Sequence, residues 1–150
     1  MISRTSSAAP RATVPLRVLL VENHADTREF LTSMLEGLGY TVIVAASMAN
    51  ALRAAARSGC DVLISDIGLP DGDGWELLNR LKLPRPMYAI AMSGYGTVSD
   101  RNRSKAAGYR HHLVKPMELE QLESILYSVA AEIARSGSQH HGARTSLGSG

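Results

Sequence analysis

Residues 61–74 read DVLISDIGLPDGDG, and this stretch decides how the rest of the chain is interpreted. Residues 61–65 are a short apolar run of the kind found in parallel strands that are buried on both faces. The run ends at Asp66, and a loop with one proline and three glycines follows it. From Trp75 onward, apolar residues recur at helical spacing until Pro84 stops the pattern. The stretch therefore predicts a strand with an acidic residue at its end, a loop and a helix.

The same alternation of strand and helix continues on both sides of this stretch. Short apolar or β-branched runs predict further strands at residues 16–21, 41–45, 87–92 and 111–114. Apolar side chains at helical spacing predict the first and last helices, through the sets Phe30, Leu31, Met34, Leu35 and Leu38, and Leu119, Leu122, Ile125, Leu126, Val129 and Ile133. Ser47 is placed to cap an alanine-rich helix, and residues 98–107 predict a polar one. Five strands alternating with five helices predict an α/β fold: a five-stranded parallel sheet with helices on both faces.

Length and composition predict one folded domain with a tail at each end. A chain of 150 residues that is 45% hydrophobic and 20% charged is typical of one globular domain. Residues 1–15 lack the apolar core of a signal peptide and predict a flexible leader. Residues 16–135 hold the alternating pattern, and residues 136–150 are rich in Gly and Ser, which predicts disorder.

The same numbers argue against several classes of protein. No apolar stretch approaches the roughly 18 residues that span a bilayer, so we expect no membrane partner. A formal net charge of +2 does not by itself indicate nucleic-acid binding, and residues 136–150 are too few for a helix-turn-helix domain. With Cys60 as the one cysteine, no intramolecular disulfide is possible, which fits a cytoplasmic location.

Polar residues follow four of the predicted strands. Glu22 and Asn23 follow the first, Asp66 the third, Ser93 the fourth and Lys115 the fifth. Any one of them alone could be a strand-end residue facing water. In a parallel sheet, however, ligands bind beyond the carboxyl ends of the strands, where these residues would meet. A carboxylate can act as a nucleophile toward phosphorus, a hard cation such as Mg²⁺ prefers oxygen ligands, and a lysine can neutralise a phosphoryl group.

Four motifs in this order resemble the receiver domains of two-component signalling. They are LLVENHADTR (19–28), LISDIGLPDGDGWELL (63–78), IAMSGYG (90–96) and HHLVKP (111–116). The resemblance implies the (βα)5 flavodoxin-like receiver fold. The HHLVKP motif is similar to that of receivers attached to hybrid sensor kinases.

The resemblance implies a metal site around a phospho-acceptor. Asp66 matches the acceptor, and Glu22 matches the first of two acidic residues that bind Mg²⁺ in the family. Gly68 matches the position whose backbone carbonyl is a metal ligand. Asn23 stands where the family usually has its second acid; its amide oxygen can still be a ligand, but without charge, so we expect weaker Mg²⁺ binding. His24 is expected to be a solvated loop residue.

The resemblance also implies a switch. Ser93 matches the hydroxyl residue that follows the phosphoryl group when the domain is activated, and Lys115 matches the lysine that pairs with that group. The bond from Lys115 to Pro116 is usually cis in the family, which would aim the lysine into the site. His112 matches the strand-five switch position, which is usually Tyr or Phe.

The function implied is a signalling domain rather than an enzyme. Asp66 would take its phosphoryl group from a histidine kinase or a phosphotransfer protein, and the surface from helix 4 to helix 5 would carry the output to a partner. The alternative is a pseudo-receiver, a phosphorylation-independent interaction module, which Asn23 favours. A hydrolase is disfavoured because the chain has no P-loop and no G-x-S-x-G motif.

Two further groups of charged residues have competing interpretations. Four basic residues around the fourth helix form either a solvated face or part of a partner surface: Arg101, Arg103, Lys105 and Arg110. Asp71 and Asp73 echo an EF-hand loop, but the acidic residue that should close the loop is missing. We therefore expect these two aspartates to shape the turn and to cap the helix at Trp75.

Overall fold

The computed structural model describes residues 16–81, 88–94 and 96–149, and the side chains as far as residue 135. The leader predicted at residues 1–15 lies outside the described residues. The five strands of the main sheet are β1 (Arg17–Val21), β2 (Thr41–Ala45), β3 (Val62–Asp66), β4 (Tyr88–Ser93) and β5 (His111–Val114). The helices in this part of the chain are α1 (Ala25–Gly37), α2 (Met48–Ser58), α3 (Gly74–Arg80), α4 (Val98–Ala107) and α5 (Leu119–Ser149).

The strand order creates the place where a site can form. All five strands run parallel in the order β2-β1-β3-β4-β5. The chain leaves β1 toward β2 on one side and then crosses back to β3 on the other side, so the winding direction reverses between β1 and β3. At such a reversal the loops beyond the strand ends diverge and leave a crevice. The predicted α/β fold is confirmed, and its crevice lies beside Glu22 and Asp66.

The central strands are buried as their continuous apolar runs predict. Residues 18–21 of β1 and every residue of β3 are buried, which requires cover on both faces of the sheet. On one face, Leu19 and Leu63 belong to an apolar cluster that also contains Ala51 of α2 and Leu77 of α3. Because this packing holds β1 and β3 side by side, it fixes the spacing of the polar residues that follow them.

Side-chain caps start three of the helices. The Ser47 hydroxyl accepts the Asn50 N–H at the start of α2, and the Thr97 hydroxyl accepts the Asp100 N–H at the start of α4. Asp73 accepts the Glu76 N–H at 2.8 Å, so its predicted role as the cap of α3 is confirmed. The other aspartate of the loop, described below, has a different role from the predicted one.

Asp71 caps the neighbouring helix instead of α3. One oxygen of its carboxylate accepts the Met48 N–H at 2.7 Å, and the other accepts the Ala49 N–H at 2.9 Å. A negative charge at a helix N-terminus is favourable because unpaired N–H groups and the helix dipole meet there. The loop after β3 is therefore attached to the first turn of α2.

The first helix departs from its predicted apolar face at one residue. Leu31 and Leu35 are buried, whereas the side chain of Phe30 is 55% exposed. Adjacent residues on a helix point about 100° apart, so Phe30 and Leu31 cannot both lie at the centre of one stripe. The helical spacing was correctly recognised, but the buried stripe is narrower than predicted.

The last helix, considered by itself, shows a clear buried stripe. Leu122, Leu126 and Val129 are buried, at the i, i+4 and i+7 positions that the sequence predicts, whereas Leu119 is 39% exposed. The helix continues to Ser149, past residue 136, where Gly- and Ser-rich composition predicts the ordered chain to end. Within the part of the chain that the structure describes, no helix is long and apolar enough to cross a membrane.

Candidate functional site

Three charged residues are brought to one edge of the sheet by the strands that precede them. Glu22 directly follows β1 and is fully buried, and its N–H donates to the Ala45 carbonyl of the adjacent strand at 3.0 Å. Asp66 is the last residue of β3 and is 6% exposed. Lys115 follows β5, and its N–H donates to the Ser93 carbonyl at 2.7 Å. Because the strands are parallel, all three side chains emerge at the carboxyl edge.

The lysine joins the two carboxylates. Lys115 Nζ lies 2.8 Å from Glu22 Oε1 and 3.0 Å from Asp66 Oδ2. Both pairs are charge-assisted hydrogen bonds in a largely dry setting, where such contacts are stronger than at the surface. We call these three residues the acidic pocket. Pro116 follows the lysine, and a cis bond before it stays a prediction.

The acidic pocket holds its two carboxylates in unequal states. Burial raises the pKa of Glu22, but the hydrogen bond from Lys115 and those from His24 outweigh burial, so the pKa is lowered overall. Burial raises the pKa of Asp66, and the neighbouring Glu22 charge adds to this against the opposing effect of Lys115. Burial lowers the pKa of Lys115, but its two carboxylate partners raise it overall. Glu22 is therefore the more firmly ionised carboxylate, and Asp66 takes up a proton more readily.

Two residues that follow Glu22 bind its carboxylate and its backbone. The His24 N–H donates to Glu22 Oε2 at 3.0 Å, and His24 Nδ1 lies 3.2 Å from the same oxygen. Arg28 Nη1 donates to the Glu22 carbonyl at 2.8 Å and to the Asn23 carbonyl at 3.3 Å. His24 is an exposed loop residue, as predicted, and it also contacts Glu22 of the acidic pocket, which was not predicted. Its position two residues past Glu22 could have indicated this.

One group of side chains here has the geometry of a cation site. Ligand atoms of Glu22, His24 and Asp66 lie within 4.8 Å of one another. Carboxylate oxygens are the ligands that Mg²⁺ prefers, and an imidazole is accepted by softer divalent ions. Asn23 and Gly68, the other predicted ligands, are both exposed, and they lie close to Glu22 and Asp66 in the sequence. The donor chemistry therefore fits a divalent cation beside Asp66.

The loop after Asp66 is held close to it by a glycine. Residues Gly68–Leu69 and Gly72–Asp73 form a small antiparallel hairpin. At Gly74, a Cβ atom would lie 2.7 Å from the Asp66 carbonyl oxygen, so a larger residue would push the backbone of Asp66. The buried Tyr109 hydroxyl donates to the Gly74 carbonyl at 2.6 Å, and burial raises the pKa of this tyrosine. Gly74 therefore links the acidic pocket to the residues after α4.

A second polar group lies beside the acidic pocket and contains no carboxylate. Ser93 Oγ is 2.8 Å from His112 Nε2, so the two predicted switch residues are in contact. His112 Nδ1 is in turn 2.8 Å from Ser104 Oγ of α4, and Trp75 Nε1 of α3 donates to that hydroxyl at 2.9 Å. We call these four residues the hydroxyl–imidazole chain. Ser104 and Trp75 were not predicted as parts of a site, because neither lies at a strand end.

The basic residues of α4 and Arg110, which precedes β5, face different neighbours. The Arg103 guanidinium lies over the Trp75 ring at 4.0 Å, and that of Arg110 lies over the Tyr88 ring at 4.6 Å. Arg101, Lys105 and Arg110 line an open cavity with residues of the hydroxyl–imidazole chain and their neighbours: Ser104, Tyr109, His111 and His112. At least two of the four predicted basic residues therefore make specific ring contacts as well as facing water.

The fold and the site together define a class of protein. It is a flavodoxin-like α/β domain whose carboxyl edge holds a lysine-bridged pair of carboxylates beside a serine at the next strand end. A protein-family model described as the response regulator receiver domain matches residues 18–127. The chain belongs to this family, which is a signalling domain of two-component systems and not a classical enzyme.

Known relatives show the same family. The KDP operon transcriptional regulatory protein KdpE of Escherichia coli is 36% identical over 73% of this chain and 48% of its own length. The transcriptional regulatory protein HprR of the same organism is 30% identical over 88% of this chain and 56% of its own length. The chain thus spans about half the length of these two relatives.

A solved structure shows the same fold. The chemotaxis protein CheY4 of Vibrio cholerae is similar with a TM-score of 0.72 and 27% sequence identity. The match covers 77% of this chain and 99% of that one. The predicted receiver fold is therefore confirmed by family, relatives and structure together.

Proposed function

We propose that Asp66 accepts a phosphoryl group from the phosphohistidine of a histidine kinase or a phosphotransfer protein. The contact between Lys115 Nζ and Asp66 Oδ2 at 3.0 Å is the observation that carries this proposal. The Lys115 ammonium thus lies beside Asp66, the carboxylate that ends β3 next to the winding reversal. Membership of the receiver family supports the same conclusion.

The reaction transfers phosphorus from nitrogen to oxygen. A carboxylate oxygen of Asp66 attacks the phosphorus, the P–N bond to the donor imidazole breaks, and an acyl phosphate forms. Phosphoryl transfer depends mainly on positioning and on neutralising charge. Lys115, with its raised pKa, keeps its positive charge and is placed to pair with the transferred group. Its bond to Glu22 holds the ammonium in position when Asp66 is modified.

The proposed cofactor is Mg²⁺, held by Glu22, Asp66, the Gly68 carbonyl and the Asn23 amide oxygen. When bound, it would neutralise charge on the phosphoryl oxygens. Glu22 is suited to this role because it stays ionised beside a carboxylate that does not hold its charge as firmly. Asn23 supplies no charge, so the proposed affinity is lower than that of a site with a second acid.

The proposed response starts at Ser93 and His112. In this proposal the Ser93 hydroxyl would donate to a phosphoryl oxygen, and its 2.8 Å contact with His112 joins it to β5. The surface of α4 and β5 would then present the change to a partner protein. The exposed basic side chains of α4 suit a partner with acidic groups.

The test is phosphorylation by a small donor. The protein is incubated with acetyl phosphate and Mg²⁺, and the product is sought as a base-labile, acid-stable phosphoprotein by mass spectrometry. We expect modification of the native chain and none of Asp66→Asn. Asp71→Asn, the same change at an exposed aspartate five residues later, should be modified like the native chain. Absence of product at every Mg²⁺ concentration would overturn the proposal.

A second candidate is a pseudo-receiver, an interaction module that works without phosphorylation. Asn23 favours it, because this position carries no charge for a cation. The same experiment separates the two functions. If the native chain is unmodified but Asn23→Asp is modified, the second candidate is supported and the loss is assigned to the missing acid.

A further inference from the structure

We propose that Trp75 and Ser104 position the switch: together they hold His112 as the tautomer with hydrogen on Nε2, so that Ser93 accepts from His112 and donates its own hydrogen toward the Asp66 pocket. The hydroxyl–imidazole chain then links the acidic pocket to the surface of α3 and α4. The last step, donation toward a phosphoryl group, rests on the function proposed above. The first steps do not.

The direction of the hydrogen bonds starts from the tryptophan. An indole N–H can only donate, so Ser104 Oγ must accept from Trp75 at their 2.9 Å contact. Ser104 is 1% exposed, so water does not replace this contact. Its hydroxyl has one hydrogen of its own, and His112 Nδ1 lies 2.8 Å away. If Ser104 Oγ accepted from Nδ1–H as well, its own buried hydrogen would have no acceptor among the contacts of the described residues. The Ser104 hydrogen is therefore assigned to Nδ1, which makes Nδ1 the acceptor nitrogen of the ring.

The tautomer of His112 determines the direction of its hydrogen bond with Ser93 at the end of β4. A neutral imidazole that accepts at one nitrogen carries its hydrogen on the other. His112 Nε2–H therefore donates to Ser93 Oγ at 2.8 Å. Ser93 follows Met92, which is paired with Asp66 across β4 and β3, so the hydroxyl stands beside the acceptor strand. Because the Ser93 oxygen accepts from His112, the Ser93 hydrogen is not the one that joins it to the ring, and in the proposed function this hydrogen is donated to a phosphoryl oxygen.

The far end of the chain reaches the surface. Trp75 is partly buried, and the exposed Arg103 side chain lies over its ring at 4.0 Å. A change at Ser93 that weakens its bond to His112 would alter Ser104 and hence the indole hydrogen bond. Four hydrogen-bonding groups from α3, β4, α4 and β5 thus connect residues that are far apart in the sequence. Trp75 is the one tryptophan of the protein, so tryptophan signals report on the hydroxyl–imidazole chain alone.

The first experiment measures the tautomer without any phosphodonor. Histidine ring nitrogens are observed by ¹⁵N NMR at about pH 8, where imidazoles are ordinarily neutral. We expect hydrogen on Nε2 of His112 in the native chain and a mixture of tautomers in Ser104→Ala. Ser99→Ala, an exposed serine of the same helix, is the matched control and should leave the tautomer unchanged. Hydrogen on Nδ1, or on both nitrogens, in the native chain would overturn the proposal.

The second experiment measures the link to the pocket. Beryllofluoride with Mg²⁺ serves as the phosphoryl probe, and the Trp75 indole N–H resonance and fluorescence are followed. We expect a shift in the native chain and a much smaller shift in His112→Phe. We also expect Ser104→Ala to bind the probe about two- to tenfold more weakly, the effect of one lost hydrogen bond. An unchanged affinity together with an unchanged Trp75 response in Ser104→Ala would contradict the link.

The two experiments distinguish the positioning of His112 from the proposed phosphoryl function. If the native tautomer is as expected but the probe does not bind, the phosphoryl function fails and the positioning of His112 stands. If the probe binds but His112 has the other tautomer, the positioning fails and the function stands. Should Ser104→Ala not fold, Trp75→Phe removes the donor at the start of the chain and is expected to release the tautomer in the same way.

Discussion

The acidic pocket and the hydroxyl–imidazole chain lie side by side at one edge of the sheet, but different forces hold them. In the pocket, one lysine binds two buried carboxylates, and every contact depends on charge. In the chain, Ser93, His112 and Ser104 are joined by hydrogen bonds that need no net charge. The acidic pocket should therefore respond strongly to pH and to loss of the Lys115 ammonium. The hydroxyl–imidazole chain should respond to the loss of one hydroxyl.

This difference suits the two groups to different tasks. A charged pocket can bind an anion and stabilise the charge of phosphoryl transfer. A row of neutral hydrogen bonds contributes little stability, but one change at its end can reverse the donor and acceptor roles along the row or break it. The arrangement separates the place where the chemistry is proposed from the path that would report it.

The largest expected effect comes from removing the cation of the pocket. In Lys115→Met, the buried Glu22 and Asp66 carboxylates face each other without the ammonium that joins them. We expect a loss of about 2–3 kcal/mol in the free energy of unfolding at about pH 7, below the full cost for a buried pair because Lys115 is partly exposed. Urea unfolding gives the value, and Lys105→Met on α4 is the control for loss of an exposed lysine.

The same variant should be less impaired in mild acid. Asp66 has a raised folded pKa, so its protonation favours the folded state as pH falls, and that contribution is lost as pH rises through the folded pKa. Without Lys115, both carboxylates should take up protons more readily. We expect the stability difference between variant and native chain to shrink from about pH 7 to about pH 5. A difference that grows in acid would show that charge repulsion is not the cause.

The next effect tests the close approach of Gly74 to the backbone of Asp66 in the acidic pocket. Alanine at Gly74 would place its Cβ 2.7 Å from the Asp66 carbonyl oxygen and 3.1 Å from Ile67 Cα. Both neighbours are backbone, so the loop must move, and we expect a loss of about 1–2 kcal/mol and weaker phosphorylation. Gly68→Ala is the matched control for stability, because nothing lies within 4 Å of a Cβ there. Equal stability of the two variants would argue against the close approach.

A smaller change sharpens the chemistry of the pocket alone. Asn23→Asp adds a carboxylate where the proposed cation site has a neutral amide. We expect Mg²⁺ to bind on the order of tenfold more tightly, about 1.4 kcal/mol, measured by calorimetry. Asn102→Asp adds the same charge on exposed α4 and should leave the affinity unchanged. The hydroxyl–imidazole chain should be unaffected by either variant. An affinity that does not rise would place Asn23 outside the coordination of the cation.

The sequence predicted the pocket far better than the hydroxyl–imidazole chain. Glu22, Asp66 and Lys115 follow apolar runs, and parallel pairing alone brings strand ends together. Ser93 and His112 were predicted through the family motifs. Trp75 begins the apolar pattern of α3, but nothing in the sequence pairs it with Ser104, which lies 29 residues further along the chain. Only the packing of α3 beside α4 brings the two side chains within hydrogen-bond distance. Patterns that repeat along the chain reveal elements and their ends, but side-chain contacts between two helices depend on tertiary packing.

Asp71 was predicted as a turn residue, and its observed bonds to α2 lead to the smallest expected effect. Its carboxylate accepts the Ala49 and Met48 N–H groups, and these bonds lower its pKa. A lowered folded pKa means that the stabilisation is present above the unfolded pKa and is lost as pH falls through the folded pKa. The native chain should therefore lose slightly more stability in acid than Asp71→Asn, whose amide oxygen can accept only one of the two bonds and does not titrate. Thermal unfolding of both proteins from about pH 7 to about pH 3 measures this. Parallel curves would mean that the Asp71 charge adds nothing to the attachment, so the loop beside the acidic pocket would be held by its hairpin and by Gly74.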